Sequence, residues 1–405
     1  MSCPVLPGLR PSPYPGKLRA VTLRVLHIDT EHGWRGGERQ ALWLAGELAK
    51  RGHRSVVAAR AGEPLARRAE EAGLDVAFSN PLGELDPGAA LRLRAVIRRE
   101  RIDVVHAHTA HAVAAGALAT IGTHTPMVVA RRVDFPLRAN VGTRWKYGRA
   151  AAIIAVSEAV RRVLADGGIN PSLITVVPDG VDVHRAVEPA SPATLAELGA
   201  QPTGNAPLVV QVAQLVGHKD PINFIRAVAH ARRIVPDLQA LLVGEGPLRG
   251  DVEREIHTLM LDGVIHLTGF RTDADALLAA ADVVVLSSRE EGMGSVLLDA
   301  LAFGRPVAAT RAGGIPEVII DGECGLLADV RDPEGLGAAI ARLITDTALA
   351  ARFADRAQTR AAEFSVERMT DRTIEVYERV IEGAAVASRT RRASASISDS
   401  STRAP

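Results

Sequence analysis

The segment with the clearest chemical pattern lies between residues 287 and 300. An apolar run is followed by Ser-Ser-Arg-Glu-Glu-Gly-Met-Gly, after which a helical pattern begins. The two glycines expose backbone amides, and a helix start presents unpaired N–H groups and a positive dipole end, so the segment suits a phosphate.

Glu291 stands at the mouth of the loop, and Asp299 lies one turn into the helix. Carboxylates on both sides of a phosphate cradle suit a ligand rich in hydroxyl groups, such as a sugar on one side and a ribose on the other. A capped helix with solvated acids is the simpler interpretation, but it explains the glycines poorly. The cradle would consist of Gly292, Met293, Gly294, Ser295 and Val296.

Two more loops follow apolar runs and carry groups that suit an anion. In Trp34–Glu38, Gly36 and Gly37 allow close backbone approach at the start of a helix. Taken alone, a Gly-Gly pair is more often a tight turn. Lys219, one of four lysines, lies at a strand end, where it would suit a diphosphate; a solvated loop lysine is the alternative.

A histidine pair ends another apolar run. Strand alternation places His106 and His108 on one face, with His111 nearby. A metal site would need a further ligand at standard spacing, and the sequence offers none, so no metal is expected. His106 is interpreted as a core or surface histidine. His108 lies nearest the carboxyl end of the strand, where ligands bind in α/β sheets.

Elements that could position these loops alternate along the chain. The strand candidates are continuous apolar runs, which is typical of parallel strands buried on both faces. Amphipathic helical stretches separate them, which indicates βαβ units. The strand candidates are 23–28, 55–59, 75–78, 104–107, 127–130, 153–156, 174–177, 208–213, 240–243, 264–267, 283–286, 306–309 and 325–328.

The two halves of the chain begin alike, with a strand, a loop and a helix, and this predicts two Rossmann-like domains with an α/β fold. We expect an N-terminal domain over residues 21–185, a linker over 186–206 and a C-terminal domain over 207–365. A helix over 366–385 either stays with the second domain or crosses back to the first. Residues 1–20 and 386–405 are expected to be a disordered arm and a disordered tail.

Composition excludes several classes. The 405 residues are 47% hydrophobic and 23% charged, as in folded proteins, and no apolar stretch is long enough to span a membrane. Two cysteines allow no disulfide framework, which favours a reducing compartment. Residues 1–185 carry 26 basic and 17 acidic side chains, and the remainder carries 22 and 30. An acidic second half and 3% aromatics argue against a nucleic-acid partner.

Taken together, these motifs resemble glycosyltransferase family 4, a retaining group with the GT-B fold. The resemblance spans about residues 21–382. Its landmarks, in order, are WRGGE, VVHAHT, AVSEAVRR, VPDGVD, the Lys219 loop, LLVGEGPLR, HLTGF, SSREEGMGSVLLDALAFGRPV and AGGIPEVI. Each is weak alone, but the ordered set is specific for the family. It implies parallel sheets of two domains facing across a cleft.

The resemblance also implies roles for single residues. His108 and Glu291 would contact the donor sugar, and Lys219 would contact the diphosphate; these three are the predicted catalytic residues. Phe270 would lie where the backbone meets the base, and Asp299 would hold the ribose. The remaining donor contacts would come from Gly36, Gly37, Gly292, Met293, Gly294, Ser295 and Val296.

The chain departs from the family pattern at two positions. Gln214 stands where an arginine is usual, so a cation that offsets the charge of the leaving diphosphate is missing; His218 and Arg311 are candidates to replace it. Asp299 stands where a glutamate is usual, and its shorter side chain can still accept both ribose hydroxyls.

The resulting prediction is an enzyme that moves a sugar from a nucleotide sugar to a glycan or lipid-linked acceptor of the cell envelope, with retention and without a metal or other cofactor. A nucleotide-sugar epimerase and a non-catalytic nucleotide-sugar binder remain as alternatives. Basic residues near 92–101 and 131–149, with Phe135, Trp145 and Tyr147 among the latter, form either a surface for anionic lipid or a solvated face. We expect a cytoplasmic protein, free or at the inner face of the membrane.

Overall fold

The computed structural model describes residues 22–83, 85–137, 140–200 and 206–401. The predicted arm at residues 1–20 lies outside these ranges. The described residues form two α/β domains, each built on one parallel sheet. Among them, no helix combines the length and the apolar character needed to cross a membrane.

The first domain has seven parallel strands in the order β3-β2-β1-β4-β5-β6-β7. These strands are β1 Arg24–Ile28, β2 Arg54–Ala59, β3 Asp75–Phe78, β4 Val104–Ala107, β5 Met127–Arg131, β6 Ala152–Ala155 and β7 Ile174–Val176. The helices between them are α1 Gly36–Lys50, α2 Pro64–Glu71, α3 Pro87–Arg99, α4 Ala110–Ala119, α5 Val141–Tyr147 and α6 Glu158–Asp166.

The second domain has six parallel strands in the order β10-β9-β8-β11-β12-β13. They are β8 Leu208–Val212, β9 Gln239–Val243, β10 Ile265–Gly269, β11 Val283–Leu286, β12 Val307–Thr310 and β13 Leu326–Ala328. Helix α7 Pro192–Glu197 precedes them. The later helices are α8 Pro221–Arg232, α9 Arg249–Thr258, α10 Ala274–Ala280, α11 Ser295–Ala302, α12 Ile315–Val318, α13 Pro333–Thr345, α14 Thr347–Ala362 and α15 Val366–Ser401.

Local chemistry explains where the helices begin. Thr109 and Ser157 each follow a strand and accept a backbone N–H from the first turn of α4 and α6, at 3.3 Å and 3.1 Å. Proline occupies the first helical position of α3, α8 and α13, where its missing N–H costs nothing. The inner strands of both sheets are almost wholly buried, as their continuous apolar sequences predict, whereas the edge strands β3, β7, β10 and β13 are partly exposed.

The predicted linker carries more structure than a loop. Residues 192–197 form α7, Leu195 is buried in the main apolar core, and the Ala190 amide donates to the Ala276 carbonyl at 2.9 Å. This segment therefore packs against the second domain.

Helix α15 crosses back to the first domain. Met369, Tyr377 and Val380 pack with Leu44 and Leu48 of α1 in one apolar cluster. The helix continues to Ser401, so residues 386–401 are helical where a disordered tail is predicted. The sequence supplies a physical reason, since Gly383 is the single helix breaker between residue 366 and Pro405.

Candidate active site

The carboxyl ends of the two sheets face each other, and the loop between β11 and α11 lies at their meeting point. Gly294 has a φ of +82° and begins α11, a backbone conformation that glycine adopts without strain. The buried Glu291 side chain accepts from Ser288 Oγ at 3.0 Å and forms an ion pair with Lys219 Nζ. Two residues predicted separately, Glu291 and Lys219, are therefore in direct contact.

The same loop is pressed against the first domain. A Cβ at position 292 would lie 2.0 Å from the carbonyl oxygen of Arg132, so only glycine fits there. Ser157 Oγ donates to the Gly292 carbonyl at 2.6 Å, and the Glu291 amide donates to Asp134 Oδ2 at 2.7 Å. Met293 is buried, and its Sδ accepts from the Asp179 amide at 3.3 Å. The side chain of Met293 thus faces the first domain, which leaves its backbone for a ligand.

The loop between β12 and α12, which carries the AGGIPEVI landmark, contacts this segment. The Gly314 amide donates to the Glu291 carbonyl at 2.9 Å. The Glu317 carboxylate accepts from the Glu158 and Ala159 amides at 2.8 Å and 2.9 Å, at the start of α6 in the other domain. A carboxylate at a helix N-terminus is stabilised by the helix dipole, so Glu317 also joins the two domains.

The N-terminus of α1 meets the N-terminus of α11. A Cβ at Gly36 would lie 2.7 Å from Ser295 Oγ, while Gly37 has open space around it. Glu38 closes the α1 turn by accepting from the Arg35 amide at 2.8 Å. Two helix starts facing one another concentrate unpaired N–H groups and positive dipole ends, which is the environment that a phosphate prefers.

Asp299 lies one turn into α11 and is almost fully buried. Arg39 of α1 contacts its Oδ2, and Arg185 donates to its Oδ1 at 3.2 Å. Asp275 completes the cluster, at 2.8 Å from Arg185 and 3.5 Å from Arg39. Burial raises the pKa of Asp299, and the two arginines oppose that rise. Asp299, the residue predicted to hold the ribose, therefore contacts Arg39 and Arg185, and neither arginine was selected from the sequence.

His108 sits in a buried row of histidines. Its Nε2 lies 3.1 Å from His27 Nδ1, and its Nδ1 lies 3.3 Å from Arg132 Nη1. Because arginine can only donate, His108 Nδ1 accepts, so its proton is on Nε2 and points to His27. Burial, with His106 and Arg132 nearby, lowers the pKa of His108 well below its usual value. The His108 ring is therefore neutral, and both of its nitrogens have partners in the protein. A ligand could contact His108 through the carbon edge of the ring or through the backbone.

His27, His106 and His108 are the one group among the described residues with nitrogens close enough to share a metal ion, within 4.8 Å. His27 was not predicted as a third histidine of this group, because it lies 79 residues before His106. It is on β1, which pairs with β4 so that His27 and His106 are opposite each other. The pairing of these two strands could have indicated that the histidines lie together. The group fits a metal poorly, since the Arg132 cation donates to His108 and His106 Nδ1 is 2.6 Å from the Tyr377 hydroxyl.

Three charged side chains complete the first-domain wall and were missed as site residues. Arg132 Nε donates to the buried Asp179 at 2.9 Å, and Asp134 holds the Glu291 amide. Arg132 and Asp134 follow β5, and Asp179 follows β7, so their position just after strands was the usable signal. The sequence analysis assigned Arg132 to a basic surface instead.

The remaining predicted residues lie apart. Phe270 follows β10 and is 60% exposed. Val296 is partly buried against the core. Gln214 is exposed at the end of β8, and Arg311 pairs with Asp321 on the surface. Arg311 therefore has its own acidic partner.

An open cavity of about 430 Å³ lies beside Glu291, with walls from both domains. Phe135 of the first domain packs edge-on against His218 of the second, with ring centroids 5.1 Å apart. The other lining residues are Gly217, Arg289, Glu290 and Arg331.

Two parallel-sheet domains whose strand ends meet at an anion-binding cleft define the GT-B class. Residues 34–185 match the family described as Glycosyltransferase Family 4, and residues 200–360 match Glycosyl transferases group 1. The lipopolysaccharide core biosynthesis glycosyltransferase LpsE of Rhizobium meliloti is 35% identical over 168 residues, which are 41% of this chain and 48% of that protein.

A second relative is matched over most of its length. The alpha-maltose-1-phosphate synthase of Mycobacterium tuberculosis is 31% identical over 311 residues, covering 68% of this chain and 79% of that protein. Among solved structures, Anabaena HepE in complex with UDP and glucose has a TM-score of 0.75 at 25% identity, over 88% of this chain and 99% of HepE. The chain belongs to the family 4, group 1 glycosyltransferases and is a glycosyltransferase with the GT-B fold.

Proposed function

We propose that this enzyme transfers a sugar from a nucleoside diphosphate sugar to a hydroxyl group of a cell-envelope glycan or lipid-linked acceptor, with retention of configuration. The observation that carries the proposal is the meeting of the α1 and α11 helix starts beside the Glu291–Lys219 pair. This arrangement offers amides and a cation to a diphosphate, and a carboxylate to sugar hydroxyls. The UDP and glucose bound by HepE support a UDP-sugar as the first donor to test.

The proposed reaction breaks the bond between sugar C1 and the diphosphate oxygen and forms a bond between C1 and the acceptor oxygen. The acceptor proton passes to the departing diphosphate on the same face, which retains the configuration. Negative charge grows on the diphosphate, so electrostatic stabilisation by Lys219 and the helix N-termini lowers the barrier. Glu291 holds sugar hydroxyls and keeps Lys219 oriented, and His108 shapes the wall as a neutral ring.

The acceptor is proposed to enter through the 430 Å³ cavity, because it opens beside Glu291 and has walls from both domains. The likeness to LpsE, a lipopolysaccharide core biosynthesis enzyme, supports an envelope glycan as the acceptor class. Transfer is proposed to need no metal, since the lone histidine cluster of the described residues is engaged by Arg132 and Tyr377.

Contact with an anionic membrane is proposed for α3 and α5, which both pack on α4. Leu91 is exposed on α3 together with Arg92 and Arg98, and Val141 and Trp145 are exposed on α5. Phe135 and Tyr147 do not contribute, because Phe135 lines the cavity and Tyr147 is buried. Co-sedimentation with phosphatidylglycerol vesicles, lost on changing Arg92 and Arg98 to Glu, would support this surface; equal binding by the variant would contradict it.

The central test is donor turnover by the Glu291→Gln variant. The purified enzyme is given UDP-glucose and related nucleotide sugars with an envelope glycolipid extract, with and without EDTA. Losing the carboxylate that holds the sugar should lower transfer at least about 100-fold, as with other groups that position a reacting centre. Glu253→Gln, on the exposed face of α9, is the matched control and should leave transfer unchanged.

The products distinguish the proposal from its competitors. Acceptor-dependent release of the nucleoside diphosphate supports transfer, and an unchanged anomeric configuration in the product supports retention. Interconversion of the sugar without an acceptor would identify an epimerase. Binding of nucleotide sugar without any turnover would identify a non-catalytic binder, and loss of transfer in EDTA would overturn metal independence.

A further inference from the structure

We propose that Arg39 is a further catalytic residue, which leaves Asp299 when the donor binds and supplies the leaving diphosphate with the positive charge that Gln214 cannot. This inference rests on the proposed function, because it requires a nucleoside diphosphate sugar in the cleft.

The position of Arg39 favours such a contact. Arg39 lies three residues after Gly36, so both are on the same face of α1, and Gly36 abuts Ser295 at the start of α11. The guanidinium of Arg39 lies over the Trp43 ring, one turn further along α1, with its carbon 4.7 Å from the centroid. It reaches Asp299, one turn into α11. Arg39 therefore borders the position where a phosphate would sit.

The other groups near that position supply at most one positive charge to the diphosphate. Lys219 is proposed to supply that charge, and it also pairs with Glu291. Burial and the neighbouring Lys219 lower the pKa of His218, which keeps its ring neutral at pH 7. Arg311 pairs with Asp321 on the surface. Arg35, the N-cap of α1, is exposed. Arg39 and Arg185 are the arginines that contact Asp299 beside the α1–α11 meeting point.

Donor binding would affect these two arginines differently. If the ribose hydroxyls take the Asp299 carboxylate, Arg39 keeps only Asp275 at 3.5 Å, whereas Arg185 keeps Asp275 at 2.8 Å. Arg39 Nε is buried and has no hydrogen-bond partner among the described residues, so this side chain also has a donor to spare. Arg185 has an unpartnered Nε as well, and both guanidinium groups lie over the Trp43 ring, at 4.7 Å for Arg39 and 5.7 Å for Arg185. The two arginines therefore differ in their distance to Asp275 and in the elements that carry them, since Arg39 is in the first turn of α1 and Arg185 precedes the linker.

The test is a kinetic comparison of variants of the full chain. Wild-type turnover of UDP-sugar is measured first, since its absence would refute the proposed function and not this inference. Arg39→Ala should then lower kcat by roughly 100- to 1000-fold, the range for losing one electrostatic contact to developing charge. Arg185→Ala, which removes the other arginine on Asp299, should lower kcat less than about fivefold. Gln214→Arg added to Arg39→Ala should restore kcat at least about tenfold.

Two results would overturn the proposal. One is an equal loss in Arg39→Ala and Arg185→Ala with no rescue by Gln214→Arg, which would mean that both arginines merely hold Asp299. The other comes from the Asp299→Asn background, where the carboxylate is already removed and no unpaired buried charge is created. There Arg39→Gln should still lower kcat with little change in donor KM; an unchanged kcat would sink the idea even if Arg39→Ala fails to fold.

Discussion

Buried acidic side chains around the cleft differ in whether they form an ion pair with an arginine. Asp179 is paired with Arg132, and Asp299 is paired with Arg39 and Arg185. Asp29, which follows β1, has one carboxylate oxygen without a partner among the described residues. Burial, with the nearby charge of Glu38, raises the pKa of Asp29 to about 7. Asp29 therefore combines a raised pKa with a carboxylate oxygen that has no partner among the described residues.

This makes Asp29 a source of pH-dependent stability. A carboxyl group with a raised folded-state pKa binds its proton more tightly when folded, so the free energy of unfolding falls as pH rises from about 4 to about 7. Asp29→Asn removes this pH-dependent loss of the free energy of unfolding. For a pKa shift of this size, the loss is roughly 4 kcal/mol at most. We expect the variant to melt at a higher temperature than the wild type at pH 8, and to gain little at pH 5. The same gain at both pH values would contradict this account.

Single residues show what sequence could and could not predict about the site. Glu291, Lys219 and Gly292 could be proposed from sequence because each stands in a strand-to-helix loop whose composition is unusual, and the structure brings Glu291 and Lys219 into contact. Arg39 and Asp299 are 260 residues apart, and no local pattern indicates that they touch. The roles of His27, Arg132 and Asp179 likewise depend on partners brought in by the sheet register and the second domain.

Among the elements, α15 has the largest effect on the first domain. It covers α1 with apolar side chains and places the Tyr377 hydroxyl 2.6 Å from His106 Nδ1. Both groups are fully buried, so this hydrogen bond satisfies polar atoms that water does not reach. The strands themselves could be predicted to within one or two residues, because buried parallel strands read as continuous apolar runs. Helix α7 and the length of α15 could not, since small and polar residues form helices only as context allows.

The Tyr377–His106 bond gives a direct test of that coupling. Tyr377→Phe leaves His106 Nδ1 without a partner, which should lower the free energy of unfolding by about 1–3 kcal/mol. Tyr147→Phe is the matched control, because Tyr147 is also a buried tyrosine of the first domain and has no hydrogen bond to a histidine among the described residues. Urea denaturation of both variants measures the difference. Equal stability of the two would show that the Tyr377 hydroxyl contributes nothing.

At the scale of the whole molecule, the two domains are held closed by contacts between strand-end loops. Gly292 lies against Arg132, Gly36 lies against Ser295, and Glu317 accepts from the start of α6. Glycines at these points let backbone meet backbone without a side chain between them. The closed arrangement described here therefore depends on the absence of two Cβ atoms.

Gly292→Ala should consequently hold the domains apart. Its Cβ would lie 2.0 Å from the Arg132 carbonyl oxygen. Because that oxygen belongs to the backbone, the clash cannot be relieved by moving a side chain. We expect a larger radius of gyration by small-angle X-ray scattering and a loss of transfer. Gly46→Ala, within α1 and with no neighbour within 4 Å, is the control and should keep the wild-type dimensions. Unchanged scattering by Gly292→Ala would mean that closure does not depend on this contact.

The return of α15 to α1 also sets the order in which the protein can be completed during its synthesis. Residues 22–176 form the whole first sheet, yet the apolar side chains that cover α1 belong to residues after 365. At roughly 5–20 residues per second, the ribosome needs on the order of ten seconds or more to produce the intervening segment. During that time the nascent first domain exposes Leu44 and Leu48, so it must wait for the last helix before its histidine row is sealed.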